Sequence, residues 1–127
     1  MAMKRVLIVE DDHEVNSLLC RYLEQRSFKC ASADSAAQCI ERLEEAASPD
    51  LILLDWELPD MDGTNLCAQI RRRAEGGDVP VIMMTGYQQV DEVHRFEAVG
   101  VSATMFKPFS PRELLAKIEE ITDPQAE

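Results

Sequence analysis

The sequence predicts an α/β three-layer sandwich: five β-α units in chain order, with helices on both faces of one parallel five-stranded sheet. Three observations predict it. Short continuous apolar runs alternate five times with segments of helical periodicity. Strands that read as continuous apolar runs rather than apolar at every second residue are buried on both faces, and parallel strands joined by helices achieve that. The 127 residues suit one domain, and the 46% hydrophobic share can fill its core.

Val6-Leu7-Ile8-Val9 is the first strand. Val15, Leu18, Leu19, Tyr22 and Leu23 then recur at helix spacing. Residues 28–33 form the second strand. Ser35 with Gln38 makes a capping box for a helix carrying Cys39, Ile40 and Leu43. Leu51-Ile52-Leu53-Leu54 is the third strand, followed by the turn residues Pro59-Asp60-Met61-Asp62-Gly63. Leu66, Cys67 and Ile70 mark a third helix, expected to end near Gly76-Gly77. Residues 80–84 are the fourth strand, and Val90, Val93, Phe96 and Val99 a fourth helix stopped by Gly100. Residues 103–106 are the fifth strand. Ser110-Pro111-Arg112-Glu113 opens the last helix with an N-cap serine, proline at the first helical position and glutamate closing the box. Leu114, Leu115, Ile118 and Ile121 continue it.

The charge balance, 13 basic against 24 acidic residues for a net −11, excludes a binder of duplex DNA or RNA and of anionic membrane surfaces. No apolar run approaches the roughly 18 residues that span a bilayer. Cys20, Cys30, Cys39 and Cys67 form no C-x-x-C pair, so neither a zinc site nor a disulfide framework is expected, and the setting reads as reducing and cytoplasmic. Arg71-Arg72-Arg73 is read as positive charge at a helix end, not as a nucleic-acid patch. Met83, Met84 and Met105 are expected in the core, and Trp56 as a packed loop anchor.

In open parallel sheets, ligands bind beyond the carboxyl ends of the strands. Glu10, Asp11 and Asp12 follow the first strand, Asp55 the third, Thr85 the fourth and Lys107 the fifth. Asp12 has a sufficient structural role as a helix N-cap. Carboxylates crowded at one edge repel unless a proton or a cation relieves them, and oxygen ligands with retained waters favour Mg2+. Metal, ammonium and hydroxyl together form a clamp for a phosphoryl group, with Asp55 as the oxygen nucleophile.

The chain resembles the receiver domain of two-component response regulators, the CheY-like superfamily. The resemblance rests on Ile8-Val9-Glu10-Asp11-Asp12, on residues 53–63 from Leu53-Leu54-Asp55 to Asp62-Gly63, on Met84-Thr85-Gly86 and on Phe106-Lys107-Pro108-Phe109. It implies a flavodoxin-like sheet of order 2-1-3-4-5 and a cis Lys107–Pro108 bond. It implies Asp55 as phosphoacceptor, Glu10 and Asp11 as the acidic pair, a Mg2+ contact from the Glu57 backbone carbonyl, and Thr85 and Lys107 on the phosphoryl group. Glu57 and Tyr87 fall where the family tunes self-dephosphorylation, and a long phosphoryl lifetime is expected. Thr104 stands where an aromatic switch residue is common, so output through that rotamer is not expected.

The resemblance further implies a histidine kinase or histidine phosphotransfer protein as donor and a downstream protein effector reading helix four, strand five and helix five. The chain is expected to act as monomer or phosphorylation-dependent dimer, without contact to nucleic acid or membrane, and not as an enzyme in the usual sense. One domain is expected over 1–127, its core about 4–121 and residues 122–127 a tail or linker start, with no room for a DNA-binding output domain. Two other readings stand beside it: a phosphorylation-independent interaction domain, and a small haloacid-dehalogenase-type phosphatase. The latter wants a second aspartate where this chain has Glu57. A flavodoxin is disfavoured because no Ser/Thr-rich phosphate loop follows the first strand.

Overall fold

The computed structural model describes residues 4–86 and 91–122. The elements are β1 (Lys4–Val9), α1 (His13–Glu24), β2 (Phe28–Ala33), α2 (Ala36–Glu45), β3 (Leu51–Asp55), α3 (Gly63–Arg71), β4 (Val81–Gly86), α4 (Val93–Ala98), β5 (Ala103–Lys107) and α5 (Pro111–Thr122). All strand pairings are parallel and the sheet order is β2-β1-β3-β4-β5.

Strand side chains alternate between the two faces. Leu7, Val9, Ile52, Leu54, Val81 and Met83 pack under α2, α3 and α4, against Cys39, Leu43, Leu66, Ile70 and Phe96. Val6, Ile8, Leu51, Leu53, Ile82, Met84 and Met105 pack under α1 and α5, against Leu19, Leu23, Leu114 and Ile118. The expected methionines are therefore core. So are the thiols of Cys39 and Cys67, while Cys20 and Cys30 are half-buried. Burial pushes the Cys30 and Cys39 thiols up to about 12, which keeps them protonated and unreactive. Leu18 departs from the expected stripe: it is 52% exposed, because α1 turns Leu19 and Leu23 inward instead.

Local chemistry sets the helix ends. The Asp12 carboxylate accepts from the Glu14 and Val15 amides, as its N-cap reading requires. Ser35 Oγ accepts from Gln38 N–H, while Gln38 Oε1 reaches one residue further back, to Asp34 N–H. Ser110 and Glu113 form the full reciprocal box. α4 begins at Val93, after a turn at residues 91–92, and Val90 lies outside the described residues. α4 ends in a Schellman arrangement: Gly100 N–H donates to Glu97 O, Val101 N–H to Phe96 O, and Gly100 takes φ +94°.

α3 ends at Arg71, not near Gly76-Gly77. The chain tightens there, with Arg72 and Arg73 N–H groups donating three residues back to Gln69 and Ile70. The Arg71 guanidinium also departs from its expected role at the helix dipole. It donates to Gly77 O (2.9 Å), Val79 O (2.6 Å) and Gly100 O (2.7 and 3.2 Å), tying the chain before β4 to the end of α4. A Cβ on Gly100 would stand 2.7 Å from Arg71 Nε, so glycine there serves both the turn and the clamp. Arg71→Ala strands these carbonyls and is expected to cost about 2–4 kcal/mol in urea unfolding. Arg71→Lys should recover little of it, because one ammonium cannot span the fork.

Candidate functional site

The parallel register brings the chemistry to one edge. β1, β3 and β4 end beside each other, Asp55 sits opposite Met84, and Gly86 opposite Lys107. Glu10 continues β1, its N–H donating to Ala33 O. Asp55 is the last residue of β3, and Trp56 N–H holds the next turn by donating to Met84 O at 2.9 Å.

Glu10, Asp55 and Thr85 are buried at 1%, 6% and 2% exposure, while Asp11 faces solvent. One carboxylate oxygen from each of Glu10, Asp11 and Asp55 lies within 4.8 Å of the others. Lys107 Nζ donates to Glu10 Oε1 at 2.8 Å and lies 3.6 Å from Asp55 Oδ1. The backbone contributes too: Asp12 N–H donates to Glu10 Oε2 and Glu57 N–H to Asp55 Oδ1.

Burial, reinforced by the Glu10 carboxylate beside it, pushes the Asp55 carboxyl up to about 7, against the pull of Lys107 and the Glu57 N–H. Burial opposes the Lys107 charge, but the Glu10 and Asp55 carboxylates outweigh it and hold the ammonium above its ordinary range. Three carboxylates facing one ammonium leave an excess of negative charge on oxygen donors. That donor set suits a hard divalent cation such as Mg2+. The Thr85 hydroxyl is fully buried and has no hydrogen-bond partner among the described residues, so it is free to serve another group.

Residues 6–119 match the family model for the response regulator receiver domain. This chain belongs to that family. It is 36% identical over 118 residues to the phosphate regulon transcriptional regulatory protein PhoB of Klebsiella pneumoniae, covering 93% of this chain and 51% of that protein. PhoB of Pseudomonas aeruginosa is 34% identical over 121 residues, 95% of this chain and 52% of the relative. The chain thus spans about half the length of the curated relatives it matches. Among solved structures, a CheY-like receiver domain protein from Methanospirillum hungatei superposes with TM-score 0.88 at 32% identity, covering 96% of this chain and 95% of the other. Chemotaxis regulator CheY4 of Vibrio cholerae gives 0.89 at 22% identity, over 94% and 99%, a likeness of fold.

The receiver brings together Glu10, Asp11, Asp55 and Lys107, the sequence-predicted set, with Thr85 buried at the end of the neighbouring strand. The Lys107–Pro108 peptide is cis. Thr104 is half-buried on β5 opposite Met83. Glu57 is exposed, and Tyr87 lies outside the described residues. His13 and His94 are exposed; His13 Nε2 is 3.5 Å from Asp34, at the rim of α1. Trp56 packs on the α2–α4 side of the core, as an anchor should.

Three supports of the site escaped the sequence reading. Buried Asn16 donates to the carbonyls of Ile8, Glu10 and Ala33, pinning the backbone from which Glu10 projects. Its signal was a polar residue on the Leu19–Leu23 stripe of α1. Asp60, in the turn after Asp55, caps α2 across the fold, accepting from Ala36 and Ala37 N–H at 2.9 and 3.0 Å. Asp62 caps α3, takes the Thr64 hydroxyl, and through Thr64 meets Arg95 of α4. The last two join distant segments, and no local pattern announces them.

Proposed function

We propose that this receiver is a phosphorylation switch whose acceptor is Asp55, and the observation that carries it is the buried Asp55 carboxylate among Glu10, Asp11 and Lys107. The Asp55 oxygen attacks phosphorus in a phospho-histidine donor. The P–N bond breaks, the imidazole leaves with its electron pair, and an aspartyl phosphate forms. Glu10, Asp11, Asp55 and the Glu57 carbonyl would hold Mg2+, which when bound supplies positive charge against the phosphoryl oxygens. Lys107 gives a second, fixed positive charge, and the free Thr85 hydroxyl donates to a phosphoryl oxygen.

The donor is a histidine kinase or phosphotransfer protein, and a protein effector reads the face of α4, β5 and α5, in a cytoplasmic setting, by monomer or phosphorylation-dependent dimer. Half-buried Thr104 supplies no aromatic switch, so the change passes through α4 and the segment before it. The receiver core is about residues 4–121, and 122–127 a tail or linker start.

The test is intact-mass measurement after incubation with Mg2+ and acetyl phosphate. A phosphoryl adduct that disappears in Asp55→Asn is the expected result. Phosphate release without an adduct supports a phosphatase instead, and no reaction supports a phosphorylation-independent interaction domain. Glu57 and Tyr87 slow the return, so the adduct should decay slowly, and Tyr87→Ala should shorten its life.

A further inference from the structure

We propose that this receiver carries a second ligand site, a cleft under the end of α2 that binds a small organic carboxylate with an apolar body. The cleft holds about 110 Å3 and lies toward the amino ends of β1 and β2, while Asp55 lies at the carboxyl end of β3.

Its walls are apolar because the sheet changes character there. Ala31 pairs with Leu7 in register, and its small side chain leaves uncovered a space bounded by Leu7 and Leu43. α2 ends at Glu45, so no further helical turn roofs that space. The space is smaller than the ~150 Å3 enclosed apolar cavity that admits benzene, but it opens at its cationic mouth, so a ring can enter it in part while its carboxylate stays at the rim.

Its mouth is cationic. Arg5 and Lys29 are register partners on β1 and β2 and therefore share a face with Leu7 and Ala31. Like charges opposite one another on neighbouring strands repel. Neither side chain has an ion pair or hydrogen bond among the described residues; Arg5 is held by its backbone N–H, which donates to Asp50 Oδ2 at 2.8 Å. Arg42 completes the rim, donating to Ser32 O and lying 3.5 Å from Glu45. Counting both Glu45 and the nearby Asp50 still leaves a cation in excess, in a chain whose net charge is −11. A carboxylate between Arg5 and Lys29 relieves their repulsion while its apolar body fills the space above Ala31.

Benzoate is the probe, with benzamide as its neutral isostere and acetate as charge without a ring, each titrated into the full 15N-labelled chain. Benzoate is expected to shift the amides of Leu7, Ala31 and Leu43 saturably, and about tenfold more tightly than either control. Lys29→Gln, at an exposed position, should weaken benzoate about fivefold. Ala31→Leu should abolish binding by filling the space, and Lys29→Gln keeps the test decisive if that variant fails to fold. Binding should persist in Asp55→Asn, so this site and the phosphoacceptor stand or fall separately. Equal shifts by benzoate and benzamide, no saturation, or full benzoate binding by Lys29→Gln overturns the proposal.

Discussion

Asp55→Asn is expected to unfold at higher urea than the parent in Mg2+-free buffer above about pH 7, and to lose that advantage below about pH 4. The sign follows from linkage. The Asp55 carboxyl sits near 7 in the folded chain and near its ordinary 3.8 when unfolded. Between those values the folded state keeps a proton that the unfolded state has released, so stability falls as pH rises through the window. Burial dominates the cost and the Glu10 carboxylate adds to it, with Lys107 offsetting part. At about 1.4 kcal/mol per pKa unit, the parent loses on the order of 2–4 kcal/mol by pH 7. Asparagine cannot ionise and escapes that loss.

Added Mg2+ should close the gap from the other side, because a cation among the three carboxylates stabilises the folded parent by mass action. A variant less stable than the parent at both ends of the window would show that the Asp55 charge is not under strain. The site thus holds the Asp55 carboxylate in an unfavourable state that a cation relieves, and in the proposed acceptor role stability is given up for reactivity.

The same tension explains what the sequence disclosed. Runs of four apolar residues revealed β1, β3 and β4, whereas β2 and β5 are broken by Lys29, Ser32 and Thr104 and carry a weaker signal; β2 still ran over the expected residues 28–33. Glu10, Asp55, Thr85 and Lys107 were legible because each breaks such a run at its carboxyl end, and parallel topology brings those ends together. Helix ends set by local caps, at Asp12, Ser35 and Ser110, were legible for the same reason: donor and acceptor lie within a few residues. What could not be read depends on contacts far apart in the chain. Arg71 looks like a helix-end cation until Gly100, distant in sequence, arrives with its carbonyl. Asp60 looks like a turn residue until α2 presents two free N–H groups to it. Leu18 fits an apolar period, yet it stays 52% exposed.

Gly63→Ala is expected to impair both stability and phosphoryl transfer, although residue 63 bears no chemistry. Gly63 N–H donates to Trp56 O at 2.7 Å, which presses the first turn of α3 against the end of β3. A Cβ at this position would meet Met83 Sδ at 2.8 Å and, on the backbone, both the Asp55 carbonyl oxygen and Trp56 Cα at 3.0 Å. The Met83 side chain is flexible and can give way, but the two backbone contacts cannot without moving Asp55, the proposed acceptor. Overpacking of this kind costs about 1–3 kcal/mol. A displaced nucleophile is the larger effect, since about 1 Å of misplacement can slow a reaction roughly 100-fold. The adduct should therefore form from acetyl phosphate about 10- to 100-fold more slowly than in the parent, under conditions where the variant is still fully folded. Trp56, the single tryptophan, adjoins Asp55, so Mg2+ titration followed by its fluorescence provides a second readout, and weaker binding is expected there as well. Parent-like rates together with parent-like Mg2+ affinity in the folded variant would mean that the Asp55 backbone tolerates the shift, and that the close approach of α3 does not position the acceptor.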